Sequence, residues 1–368
     1  MQINRIKGFE ILTSENIKIL FLVMYHVLFA YFAFFFILKK GGDAMHYWFI
    51  GENLSEKDWQ NFFKPGTDTV RWLVFPLVKY FHFPFWSGFL IFSLFSSLGV
   101  VLLYQIMKEI SGRNAMLKFF SIVLLLLPNL HFWSSLIGKE AVLLPFFVLI
   151  VFKLKTKEYF SPVIFGTVLF VSLIRPHVGF VLILSYILSL LFVIKTTTKL
   201  KIILITVFVA FTIILAVILV NIQNFDAGLP SILQKYEIHI RFFRKTHAYV
   251  PLDQYGMVLK IFTFYFRPLP LEKEGFLYTI ISFENLILLL FSILIFFFSV
   301  KYFKILHTEI LFVFPIILLL LFALMYVFAY ANYGIIIRTK MMILPFLYVL
   351  ILTVLSNAFS NYRKPHMS

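Results

Sequence analysis

The stretch GGDAMHYW, residues 41–48, places Asp43, His46, Tyr47 and Trp48 directly after a long apolar run. Four further segments set charge at the ends of apolar runs. PNLHFWSSLIGKEA carries Trp133, Lys139 and Glu140, and LIRPHVGF carries Arg175 and His177. FRPLPLE carries Arg267 and Glu272, and NYGIIIRTK carries Arg338 and Lys340. Cations of this kind bind phosphate, and arginine offers a planar fork that holds two phosphate oxygens at once. An aspartate within reach of a hydroxyl can act as a general base. Aromatic faces, here Tyr47, Trp48, Trp133, Tyr265 and Tyr333, stack on sugars. Together these residues point to a lipid-linked phosphosugar handled at a membrane face. Asp43 is the candidate catalytic residue. Lys139, Glu140, Arg175, His177, Arg267, Glu272, Arg338, Lys340, His46 and Trp133 are the candidate substrate-binding residues.

Each of these residues taken alone also has a plainer reading. Arg175 can be a snorkelling anchor. Lys139 and Glu140 can form a local ion pair. Asp43 can cap the short helix AMHYWF, and His46 can be structural. The functional reading rests on convergence. Ionisable residues at membrane depth are costly, yet separate segments deliver them to a similar depth. Proline follows arginine twice, in RPH and RPLP, and stiffens the backbone there.

The elements that must position these residues are membrane spans. The chain has 368 residues, of which 61% are hydrophobic and 14% charged; a soluble domain averages roughly 25% charged. The 49 phenylalanines are read as lipid-facing and inter-helix bulk. There is no cysteine, so disulfides, thiolate metal sites and cysteine nucleophiles are excluded. The formal net charge of +16 is not a nucleic-acid signal here, because the basic residues fall in short loops between apolar runs. About 20 apolar residues cross a bilayer. Ten segments qualify: 17–38, 86–107, 117–134, 139–153, 159–174, 178–194, 201–220, 279–300, 309–330 and 335–356. The third, fourth and fifth are short, and Pro128, Pro145 and Pro162 are placed to break them. The first is read as a retained span, because no small-residue cleavage site follows it.

Alternate loops differ sharply in charge. One set carries Arg5, Lys7 and Lys18; Lys108, Arg113 and Lys118; Lys153, Lys155 and Lys157; Lys195, Lys199 and Lys201; Lys301 and Lys304; and Arg363 and Lys364. The positive-inside rule makes these cytoplasmic, with both termini inside an inner membrane. The opposite face then carries 39–85, 129–138, 175–177, 221–278 and 331–340. The first of these includes TVRWLVFPLVKYFHF, which reads as an interfacial amphipathic helix. The long loop 221–278 reads as short helices lying on the membrane. The expected fold is therefore all-α, a single polytopic membrane domain over 1–368 with no soluble domain.

In GGDAMHYW, the outer-loop helix and the four charged segments, the chain resembles polytopic bacterial glycosyltransferases of the GT-C class and the related lipid-linked oligosaccharide polymerases. The resemblance implies that Asp43 matches the first-loop catalytic acid, which deprotonates an acceptor hydroxyl. The hydroxyl then attacks a sugar carried on polyprenyl phosphate, with inversion. It also implies that Arg175, Arg338 and Lys139 hold the phosphate. Partners would be that donor, a glycan or lipid-linked acceptor, and membrane lipids. No cofactor is expected. Relatives often have two acids in the first loop, whereas Ala44 follows Asp43 here, which puts a divalent metal in doubt. Two alternatives stay open. Paired outer-loop arginines fit an oligosaccharide polymerase or ligase. A transporter or flippase would call for mid-span charges and repeated halves.

Overall fold

The computed structural model describes residues 13–50, 58–194, 197–223, 237–238 and 240–362. Arg5, Lys7, Lys195, Arg363 and Lys364, and residues 224–236 and 239 of the loop expected at 221–278, lie outside the described residues. The described chain is helical throughout, and its only β-type pairing is an isolated bridge between Tyr249 and Asn332.

In chain order the main helices are α1 (Ser14–Lys40), α2 (Asp43–Trp48), α3 (Thr67–Lys79), α4 (Phe85–Ser111), α5 (Ala115–Leu125) and α6 (Pro128–Ser134). There follow α7 (Lys139–Lys155), α8 (Pro162–Ile174), α9 (Pro176–Val193) and α10 (Thr198–Gln223). The last are α11 (Met257–Phe266), α12 (Phe276–Lys301), α13 (Ile310–Val327), α14 (Tyr333–Lys340) and α15 (Leu344–Tyr362). Their starts follow local chemistry. Thr13 caps α1 by accepting from the Asn16 amide, and Asn114 caps α5 by accepting from the Met116 and Leu117 amides. Proline opens α6, α8 and α9, where its missing N–H costs nothing.

Among the described residues, six helices are long and apolar enough to cross a membrane: Ser14–Lys40, Phe85–Ser111, Pro176–Val193, Phe276–Lys301, Ile310–Val327 and Tyr333–Ser360. The pair α5–α6, bent by 41°, makes a seventh if it counts as one span. The molecule is thus a helical, multi-pass membrane protein, with six or seven such helices against the ten segments read from hydropathy. The difference lies mostly in the short runs. Segment 117–134 is the bent pair, broken where Pro128 starts α6. Segment 139–153 is a 17-residue helix, and 159–174 is a 13-residue one. Segment 201–220 falls within the 26-residue α10. Pro145 does not break α7 but lies inside it.

The core sits around α15, where Tyr348, Val349, Ile351 and Leu352 have no exposed surface. α7 packs most extensively on α4. They approach closely at Gly99, where an added Cβ would stand 2.9 Å from the backbone of Pro145. α1 is peripheral and presents Phe21, Met24, Tyr31, Phe32 and Phe35 outward, as a lipid-facing surface requires.

The two ends of the bundle differ. Lys108 at the end of α4 pairs with Glu15 at the start of α1 at 2.7 Å. Lys155 at the end of α7 pairs with Glu109. The lysine-rich loops at 108–118 and 153–157 therefore share one end. Asp43, Lys139, Arg175 and Arg338 share the other. There the amphipathic segment forms α3, which buries Val70, Val74 and Phe75 and is tied to the end of α8 through the Gly66 amide and Leu173 carbonyl, 2.7 Å apart.

Candidate functional site

Two consecutive glycines turn the chain out of α1. Gly41 has φ +70° and Gly42 has φ +140°, values that L side chains rarely adopt. The turn delivers Asp43 as the first residue of α2. Trp48 at the other end of α2 is buried against Phe85 of α4, their ring centres 6.0 Å apart. Trp48 is therefore an anchor for α2 and is not placed to stack on a ligand.

Four other elements meet α2. α14, capped by Asn332 through the Gly334 amide at 2.9 Å, presents Arg338. α7 opens with Lys139 and Glu140. Arg175 occupies the corner between α8 and α9. α3 contributes Thr67 and Arg71. These residues enclose a cavity of about 460 Å³ lined by Asp43, His46, Tyr47, Thr67, Arg71, Lys139, Arg175, Tyr330, Ile335, Arg338 and Thr339. Four cations face it, against one carboxylate, that of Asp43.

Behind the cavity wall lies the carboxylate that holds the arginines. Glu140 has a side chain only 3% exposed, and one of its oxygens, Oε1, accepts from both guanidinium groups. Arg338 Nε donates to it at 2.8 Å, and Arg175 Nη2 donates to it in a second ion pair. Arg338 then reaches forward, where Nη1 donates to Asp43 Oδ2 at 2.6 Å. Asp43 remains 52% exposed at its side chain, so it is the more accessible of the two carboxylates. Arg175 Nη1 also donates to the Tyr326 hydroxyl at 3.4 Å, while its Nε is buried without a partner. Lys139 Nζ donates to Thr67 Oγ1 at 3.2 Å, and Arg71 pairs with Asp68 at 2.9 Å. Burial, and secondarily the Glu140 charge, push the Tyr47 hydroxyl up to about 12, so it stays a proton donor at neutral pH.

A second, mostly apolar cavity of about 230 Å³ adjoins the first. Phe36, Ile37, Trp133, Leu136 and Ile137 line it, and Asp43, Ile335 and Arg338 line both. The Asp43–Arg338 pair is thus the boundary between a cationic chamber and an apolar one. The Trp133 indole N–H has no partner.

Several expected site residues lie elsewhere. Lys340 is fully buried and donates to the Tyr265 carbonyl at 3.1 Å and to Asn285. Residues two apart on a helix point in nearly opposite directions, so Arg338 faces the cavity while Lys340 faces the core. Arg267 is engaged by Glu272 at 2.9 Å and by the Tyr255 hydroxyl at 3.1 Å, away from the cavity. His177 meets the Tyr326 hydroxyl at 3.2 Å, one layer behind Arg175. Neither Tyr265 nor Tyr333 lines the cationic chamber. Residues not expected there, Arg71, Thr67, Tyr330 and Thr339, do. Arg71 belongs to a stretch that reads as a membrane-surface helix, and nothing in an apolar run marks Tyr326 as the partner of Arg175. Among the described residues, no three His, Asp or Glu side chains come together as metal ligands.

No protein-family model, curated protein or solved structure matches this chain. Fold and site define a class: a helical multi-pass membrane protein with a cation-rich cavity at one end of its bundle.

Proposed function

We propose that this protein is a membrane glycosyltransferase of the GT-C type. It moves a sugar from a polyprenyl-phosphate-linked donor to an acceptor hydroxyl, with inversion, during cell-surface glycan synthesis. The observation that carries this reading is the cationic chamber joined to an apolar one at the Asp43–Arg338 pair. An amphipathic donor with a phosphate between sugar and lipid has that same sequence of chemistries. Lys139, Arg175 and Arg338 bind the phosphate, and the apolar chamber takes the first part of the lipid. Engaging Arg338 draws it off Asp43 and frees the carboxylate. Asp43 then takes the acceptor proton, the acceptor oxygen bonds to the anomeric carbon, and the carbon–oxygen bond to phosphate breaks. The electron pair leaves on polyprenyl phosphate, where the arginines stabilise it. No nucleotide and no metal is required by this scheme.

In this reading the cavity faces the extracytoplasmic side of the inner membrane. The bent pair, α7, α8 and α10 complete about ten crossings, and both termini are cytoplasmic. The lysine-rich end of the bundle supports that orientation.

The test is glycan transfer by purified protein in vesicles, with the same polyprenyl-linked donor for parent and Asp43→Asn. The variant keeps the shape and removes the base, so turnover should fall by roughly 10²–10⁴-fold while donor binding persists. A second reading, an oligosaccharide polymerase or ligase driven by its arginines, is favoured by the direct Asp43–Arg338 ion pair, which gives Asp43 a purely structural task. Near-parental turnover in Asp43→Asn would select that reading.

A further inference from the structure

At the opposite end of α1, roughly 40 Å from Asp43 by helix rise, a groove of about 480 Å³ runs between α1 and α5 over α4. Its walls are Ile17, Phe21 and Leu22 on one side and Ile122, Leu125 and Leu126 on the other. Three lysines, Lys18, Lys108 and Lys118, stand at its mouth with a single acid, Glu15. Glu15 is taken by Lys108 at 2.7 Å, whereas Lys18 and Lys118 are exposed and form no ion pair among the described residues. The inner end is closed where the Tyr25 hydroxyl donates to the Leu126 carbonyl at 2.8 Å.

We infer that this groove is a binding site for an anionic phospholipid, with phosphate at Lys18 and Lys118 and acyl chain along the apolar walls. Two features choose this occupant. Among the described residues the mouth carries three lysines against one acid, so it complements an anionic head group. The groove is also one leaflet deep. From Glu15 to the closing Tyr25 is ten residues of helix, roughly 15 Å, and half of a bilayer's apolar thickness is about the same. A polyprenyl chain far exceeds that depth, and a soluble anion has no use for the apolar walls. Ile17, Phe21 and Ile122 are each about half exposed or more, which leaves the groove open sideways to lipid.

Native mass spectrometry of the full-length protein in detergent tests this, with dioleoyl phosphatidylglycerol and dioleoyl phosphatidylcholine as probes of identical chain. The phosphatidylglycerol adduct should persist preferentially. Lys18→Gln with Lys118→Gln should weaken it by roughly 30-fold, at the usual worth of a lysine near an anionic lipid surface. Ile122→Trp, which fills the groove without altering charge, should also remove it, and being at an exposed site it leaves the fold intact. Equal retention of the two lipids, or an undiminished phosphatidylglycerol adduct in the double-lysine variant, overturns the site. Displacement by glycerol phosphate alone at matching concentration would overturn it too, by showing a free-anion site instead.

Discussion

Glu140 accepts from Arg175 and Arg338 through one oxygen, so the separation of the two guanidinium groups is set by a single buried carboxylate. Glu140→Gln keeps the shape and removes the charge, leaving two arginines facing each other with no shared counter-ion. Breaking a buried pair in this way costs roughly 3–5 kcal/mol, and thermal unfolding in detergent should show a clear drop. An unchanged melting temperature would mean the arginines are held from elsewhere. Arg338→Lys should leave the fold largely intact but reduce transfer by roughly 10- to 100-fold, the worth of one charged hydrogen bond. Lysine cannot bridge Glu140 and Asp43 at once. At this scale Asp43, His46, Lys139, Arg175 and Arg338, all candidates on residue type alone, line one cavity. Lys340, two residues on from Arg338, lies in the core instead, since helical geometry turns it away from the cavity.

The elements that aim these groups depend on two backbone features. The turn from α1 into α2 uses positive φ at Gly41 and Gly42. Gly42→Ala should destabilise it by roughly 1–3 kcal/mol, and transfer activity should fall with stability because Asp43 follows directly. Parental melting and activity would show that another conformation serves. The α4–α7 contact depends on Gly99. Gly99→Leu places a side chain where Pro145 already sits and should cost roughly 1–3 kcal/mol, measured by the same melt. Two consecutive glycines after an apolar run are a turn signal in any sequence. The role of Gly99 has no such signal, because it belongs to a contact between residues 46 positions apart.

For the whole molecule, the alternation of lysine-rich loops makes sidedness testable in a chain with no cysteine of its own. A cysteine at Lys155 should be protected from an impermeant thiol reagent added outside, and one at His247 should be labelled. The reverse pattern would invert the topology. Composition and periodicity by themselves determined that the chain is helical, lies in a membrane and has alternating lysine-rich loops, because each follows from what a bilayer does to polar groups. They also placed Asp43 and the arginines at span ends. Only the tertiary structure decided which charges share a cavity and which are sealed in the core. Arg338 and Asp43 are 295 residues apart and Arg338 and Glu140 are 198 apart, and the order of residues holds no record of contacts made by packing helices side by side. The same packing turned the short, proline-bearing runs into a bent pair and shorter helices, because neighbouring helices can satisfy what an isolated broken span cannot.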